Sequence, residues 1–338
     1  MKLKLLFGLL FAAATFGLAG AAGAQDTVRL KLGHFLPAQS MTHSDLFVPM
    51  AERVKKETGG RLEIQLFPGG TLGRNPAQQL QLVLDGVLDI SFIVQSYTPG
   101  EFPDNSLLEL PLVIRTTREA ALAHQRLFER GLLRGYDKVK VLGLATTSAY
   151  NLQLTFPYAA LPDLKGKKIR AATSIQSEIV TALGATPVGS IAVTQTAESL
   201  SRRLIDGTLL GWESMNSFRV TPVTSHHVMV PLGVTPVMIA MNKQRYEQLP
   251  PDLRKAIDGI TGEWIAENIA KNYDIVGAKS LADARATGRN TIIELDAGER
   301  ANWEKTLMPI VEKWKKEHAN GKALYAALEE ELKKIRGN

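Results

Sequence analysis

The chain has 338 residues, 40 Lys and Arg against 34 Asp and Glu, a formal net charge of +6 and no cysteine. Without thiols it lacks disulfides, thiolate zinc sites, iron–sulfur clusters and cysteine nucleophiles, and its basic residues form no aromatic-interleaved stripe suited to nucleic acid. A modest positive balance suits small anionic ligands and serves solubility equally well.

Lys2 and Lys4 precede an apolar run from Leu5 to Ala22 that closes on Ala22-Gly23-Ala24. This is the layout of a secretory signal peptide cleaved after Ala24, although the run nearly reaches the roughly 20 residues of a membrane span. Two lysines fewer leave the remainder at +4. Residues 25–338 are long enough for two domains at ~100–200 residues each.

Alternating apolar residues predict a strand over Val28 to Gly33, interrupted by His34-Phe35-Leu36-Pro37. An amphipathic helix follows from Leu46 to Thr58, stopped by Gly59-Gly60. A strand over Leu62 to Phe67, a helix over Pro76 to Leu84 and a strand over Leu88 to Val94 complete an α/β start with a largely parallel sheet. After a loop at Thr98 to Pro103, a helix from Arg118 to Gly131 feeds a strand at Val139 to Ala145.

The α/β rhythm then restarts: a strand at Ile169 to Ala172, a helix at Ser174 to Leu183, a strand at Pro187-Val188 and a helix at Ala197 to Ile205. Extended segments at Leu209 to Trp212 and Val237 to Met241 follow. The last third reads as helices at Pro251 to Gly259, Gly262 to Ala286, Ala297 to His318 and Gly321 to Arg336, with Trp264, Trp303 and Trp314 expected in the core. Two α/β lobes leave a cleft, the usual place for a small ligand.

Enzymatic signatures are absent: there is no G-x-S-x-G, G-x-G-x-x-G, G-x-x-x-x-G-K-[ST] or H-E-x-x-H. His226 and His227 are adjacent on an extended segment, so they face opposite sides and do not share a metal. No catalytic residue, metal ligand or cofactor is assigned. His34 and Phe35 follow the first strand, at the sheet edge where α/β proteins hold ligands. The basic turn Leu164-Lys165-Gly166-Lys167-Lys168 leads into Ile169-Arg170 and places a guanidinium at the end of a buried strand. Such a cation is costly unless an anion pairs with it, so Arg170 is either a carboxylate receptor or the partner of an internal acid.

Several segments resemble one family. Glu52-Arg53-Val54, Thr58 to Ile64, Phe67-Pro68-Gly69-Gly70-Thr71-Leu72-Gly73, Leu82 to Asp89, Leu110-Pro111-Leu112, Leu164 to Arg170, Leu183 to Pro187, Leu204 to Gly207 and Asn242 to Leu253 are similar to the dicarboxylate-binding-protein (DctP) type of solute-binding proteins. These serve tripartite ATP-independent periplasmic (TRAP) transporters. The resemblance implies a two-lobed, periplasmic-binding-protein-like α/β fold, each lobe a mixed, mostly parallel sheet flanked by helices, with long C-terminal helices bracing both. It places lobe I at 25–147 with about 235–275, lobe II at 148–234 and the bracing helices at 276–338. It also implies a periplasmic, non-enzymatic receptor, monomer or dimer, that closes on a small organic acid and delivers it to small and large membrane permease subunits.

In that family an Arg of the K-G-x-K-[IL]-R motif grips the ligand carboxylate, and Arg170 takes that place. Tyr150 stands where some members carry a second Arg. Gly211-Trp212-Glu213-Ser214-Met215-Asn216 replaces the family's Q-E-N-P, with Ser214 in the aligned place and Trp212, Glu213 and Asn216 as neighbours. Gln95 and Tyr97 fall where some members carry an acid, and Arg74 lies beside another contact position. An apolar wall of Phe35, Tyr97, Tyr150 and Trp212, with His34 near, favours a monocarboxylate with an apolar or aromatic body. Competing readings are a C4-dicarboxylate or sugar-acid receptor of the same family, a periplasmic α/β enzyme using His34, Asp89 or His226, and a subunit that feeds a sensor.

Overall fold

The computed structural model describes residues 27–337; the expected signal peptide lies outside them. Among the described residues no helix is long and apolar enough to cross a membrane. The strands are β1 (Val28–Gly33), β2 (Leu62–Phe67), β3 (Ile90–Val94), β4 (Val139–Thr146), β5 (Asn151–Leu154), β6 (Lys168–Arg170), β7 (Thr186–Val188), β8 (Gly207–Leu210), β9 (His226–Met229), β10 (Pro236–Asn242) and β11 (Thr291–Glu294). The α-helices are α1 (Val48–Glu57), α2 (Gln79–Leu84), α3 (Thr117–Glu129), α4 (Ser174–Ala182), α5 (Thr196–Ser201), α6 (Trp212–Ser217), α7 (Lys243–Glu247), α8 (Pro251–Asp258), α9 (Glu263–Ala286), α10 (Ala297–Glu317) and α11 (Gly321–Arg336).

Two mixed sheets form, in the orders β2-β1-β3-β10-β4 and β11-β9-β5-β8-β6-β7. In the first, β1 runs parallel to β2 and β3, and β10 lies antiparallel between β3 and β4. In the second, β6 is parallel to β7 and β8, while β5 is antiparallel to β8 and β9. The alternation read in β1 is real: Leu30 and Leu32 are buried while Arg29 is exposed and Lys31 half-buried, the period-2 signature of a strand.

The chain passes between the sheets after β4 and returns before β10, and these crossings bond to each other. Thr147 N donates to Thr235 O (2.9 Å), Tyr150 N to Gly233 O (2.9 Å) and Leu232 N to Tyr150 O (3.0 Å). The result is a short two-stranded ribbon joining the lobes. Helix α9 packs on β4 and α6, α10 on α4, and α11 on α3 and α10, so the C-terminal helices brace both halves. Trp303 and Trp314 are core residues whose indole N–H groups reach Tyr158 Oη (3.1 Å) and Ser106 Oγ (2.9 Å), as buried tryptophans require. Trp264 is half-buried under the Arg53 guanidinium.

Some boundaries differ from the expectation. The helix expected from Leu46 starts earlier, as a π-helical turn over Thr42–Phe47, before α1; Pro49 has no N–H with which to continue an ordinary ladder upstream. The extended segment ends at Leu210, and Trp212 opens a helix instead. Strand β11 was not anticipated, since Thr291 to Glu294 is half-exposed and short; it extends the second sheet parallel to β9.

Candidate functional site

Arg170 is the last residue of β6, at the carboxyl end of the parallel part of the second sheet, where open α/β sheets hold ligands. Only 2% of it is exposed. Its Nε donates to Ile191 O (2.9 Å), and among the described residues its Nη2 has no partner. Just beyond it, Thr173 caps α4, accepting from Gln176 N (3.2 Å). The cation and the positive end of α4 thus stand side by side and favour an anion between them.

Around Arg170 lies an inner cavity of about 50 Å³. Its wall is mostly apolar: Phe35, Phe92, Val94, Leu209, Phe218 and Val237. Tyr97, Arg170, Ala172 and Thr173 line it and also line a larger outer cleft of about 680 Å³, walled further by Ser96, Asn105, Glu109 and His318. Polar groups on the inner wall are largely spent on one another. The Tyr150 hydroxyl meets Thr235 Oγ1, and Gln176 Oε1 accepts from Ala172 N (2.7 Å). Burial pushes the Tyr150 hydroxyl well above its ordinary range, with the nearby Glu109 carboxyl adding to the effect.

Two buried acids flank the site without an ion-pair partner among the described residues. Glu109, 2% exposed, accepts the Thr173 hydroxyl, and burial pushes its carboxyl up to about 7, against the opposing effect of the neighbouring Ser96 and Thr173 hydroxyls. Glu213 is raised likewise by burial, opposed by the hydroxyls of Ser148 and Ser214.

Of the residues singled out in the sequence, Arg170, Tyr150, Phe35, Tyr97 and Ser214 meet in the inner cavity. The others lie elsewhere. Trp212 turns away as α6 begins and packs its ring against His227 at 4.9 Å. Glu213 stands behind Ser214, Asn216 is exposed on another surface depression, and Arg74 is an exposed loop residue. Gln95 is buried and donates to Tyr136 Oη (2.7 Å). His34 is buried against His43 (Nε2 to Nδ1, 3.0 Å) and Phe47, and burial, with the neighbouring His43, lowers its pKa to about 3.

His227 sits between Gln153 and Asn290 while His226 bonds Ser225, so the two use separate partners. Asp89 accepts from Lys31 N (2.7 Å) and approaches Arg245. Phe92, Phe218, Thr235, Val237 and Glu109 were missed. Glu109 alone left a mark, as an acid within the apolar run Leu107-Leu108-Glu109-Leu110.

Residues 32–317 match the family described as bacterial extracellular solute-binding protein, family 7 (DctP). The chain belongs to this family. It is a solute receptor of the TRAP class, as the segments quoted above implied, and the family and the structures it resembles are binding proteins of transporters. It shares 28% identity and a TM-score of 0.85 with a marine-metagenome TRAP solute-binding protein specific for aromatic acid ligands, in complex with 3-hydroxybenzoate, covering 91% of this chain and 99% of that one. A Rhodoferax ferrireducens TRAP solute-binding protein in complex with copurified benzoate gives 28% identity and 0.82, covering 92% and 99%. The C4-dicarboxylate-binding periplasmic protein DctP of Rhodobacter capsulatus is 25% identical over 269 residues, 77% of this chain and 78% of that protein. The family is periplasmic, its ligands are small molecules and its partners are membrane permeases.

Proposed function

We propose that this receptor takes a monocarboxylate with an aromatic or compact apolar body and passes it to its permease by closing the two lobes, 25–147 with about 235–275 and 148–234, around it. The observation that carries this reading is the Arg170 guanidinium, a buried cation in the wall of a mostly apolar cavity, bonded through Nε to Ile191 O and with Nη2 lacking a partner among the described residues. A planar guanidinium matches a carboxylate with two parallel charge-assisted bonds, and Phe35, Phe92, Tyr97 and Phe218 suit a ring behind it. The aromatic ligands named for the two 28%-identical structures support the same class. A dicarboxylate would bring two charges to an inner chamber whose wall offers one guanidinium, leaving the second carboxylate desolvated and unpaired.

Arg170, Tyr150, Phe35, Tyr97 and Ser214 are the contacts in this reading, and closure is the ligand-favoured state. Residues 1–24 serve export and are removed at Ala24. The test is isothermal calorimetry with benzoate, 3-hydroxybenzoate, succinate and glucuronate, with recovery of the acid afterwards. Tight, stoichiometric binding of the two aromatic acids, recovered unchanged, and weak or no binding of the others is expected. A preference for succinate or glucuronate, or turnover of any acid, overturns the reading.

A further inference from the structure

The function above leaves Glu109 unused. It ends the helical turn Pro103–Glu109, which packs against β10 of the first sheet and α4 of the second. Its carboxyl receives the hydroxyl of Thr173, three residues after Arg170. That same hydroxyl accepts Gln176 N and so caps α4. One side chain on the turn therefore holds both the first turn of α4 and the strand end that carries the guanidinium.

The groups facing Glu109 are few. The turn at Gln95–Tyr97 brings Ser96 and Tyr97, the crossing ribbon brings Tyr150, and α4 brings Thr173 and Ser174. Arg170 and His318 share the outer cleft, and the half-buried Glu178 of α4 is taken by Lys313. No cation forms an ion pair with Glu109 among the described residues. A buried acid in that setting is retained at the cost of its desolvation, which suits a bond that matters when the walls meet.

We propose that Glu109 is a positioning residue for carboxylate capture: its bond to Thr173 across the cleft, present before a ligand arrives, fixes the α4 N-terminus and Arg170 where they receive the carboxylate and holds the two walls together once the lobes have closed. This rests on Arg170 being the carboxylate receptor. A latch between closing walls governs the lifetime of the closed state, so its loss appears in the dissociation rate. It also couples binding to protons. Burial in the cleft wall already drives the carboxyl toward about 7, against an ordinary value near ~4.3 in water. Closure then takes up protons, and its stabilisation, full below the ordinary value, is lost as pH rises through about 7.

Two measurements test the proposal. In ligand-free protein, hydrogen exchange of peptides covering residues 171–182 should quicken several-fold in Glu109→Ala and return toward wild type in Glu109→Gln, whose amide oxygen still accepts from Thr173. With benzoate as probe, dissociation should be about tenfold faster in Glu109→Ala, the loss of one buried hydrogen bond. Wild-type affinity should fall between pH 5 and 8, and Glu109→Gln should flatten that profile. Unchanged exchange at α4 in Glu109→Ala overturns the proposal, as does a Glu109→Gln pH profile identical to wild type. If wild type binds no benzoate, the functional reading falls while the exchange comparison still decides Glu109.

Discussion

Arg170 Nε donates to the Ile191 carbonyl at 2.9 Å, and this bond to backbone orients the guanidinium while Nη2 has no partner among the described residues. An Arg used for structure pairs with an acid inside the fold. Here Arg170 forms no ion pair among the described residues, and the buried acids flanking the site, Glu109 and Glu213, are occupied by the hydroxyls of Thr173, Ser148 and Ser214.

This arrangement predicts opposite effects on binding and stability. Replacing Arg170 by Met keeps much of the volume and removes an unpaired buried cation, so the ligand-free Arg170→Met protein should melt at or above the wild-type temperature in calorimetry. The same protein should lose carboxylate affinity by about 2–5 kcal/mol, as when one partner of a buried charge pair is truncated. Arg170→Lys should recover little, because an ammonium lacks the fork. A destabilised Arg170→Met that still binds would assign Arg170 to the fold rather than the ligand.

Buried histidines set the acid limit. His124 on α3 is fully buried, bonded at Nδ1 to Ala145 O (2.9 Å) and at Nε2 to Tyr136 Oη (3.2 Å), and burial lowers its pKa to about 4 despite the Ala145 bond. His34 is lowered further. Both are bases with depressed folded values, so their neutral forms stabilise the fold above about 6.5, and that contribution is lost as pH falls toward about 4 and 3. Urea unfolding at pH 7 and 4.5 should show a loss on the order of 2 kcal/mol per histidine. A His124→Gln variant should be weaker at pH 7 yet show the shallower decline; an equal decline would assign the acid sensitivity to carboxylates such as Asp104 and Glu119, which their partners Arg134 and Arg336 hold below the usual range.

Much of this was legible in the chain because the signals were local. The periodicity of Val28–Gly33, the glycine stops after α1 and the polar turn before Ile169-Arg170 each depend on neighbours in sequence, and the elements appear where they point. The cavity was only half legible. Arg170, Tyr150, Phe35 and Tyr97 lie just at or after strand ends, where direction follows from topology, while Ser214 lies inside α6 and was placed only by the family resemblance. Trp212 was misdirected because the strand ends two residues early, at Leu210, and Gly211 is the N-cap of α6, so Trp212 opens a helix with its indole against His227. Phe92 and Phe218 read as ordinary core hydrophobes, and only the packing of two sheets shows that they line the inner cavity.

The crossing ribbon supplies the last prediction. Gly233 has φ +93°, and a Cβ on it would lie 2.1 Å from the Glu109 carbonyl oxygen, a backbone atom that cannot move without shifting the latch. Gly233→Ala therefore combines an unfavourable left-handed conformation, about 1–2 kcal/mol, with a clash relieved only by displacing the 103–109 turn from Leu232-Gly233-Val234. The fold should survive, since Val234 N to Leu108 O (3.1 Å) and Leu112 N to Pro231 O (2.9 Å) hold the turn on either side. The expected outcome is a lower melting temperature together with faster ligand dissociation, whereas Gly166→Ala, at a surface turn with φ +74° and nothing within 4 Å of its Cβ, should lower melting by a similar backbone cost and leave dissociation unchanged. Equal dissociation rates in the two variants would separate Gly233 from the closing motion.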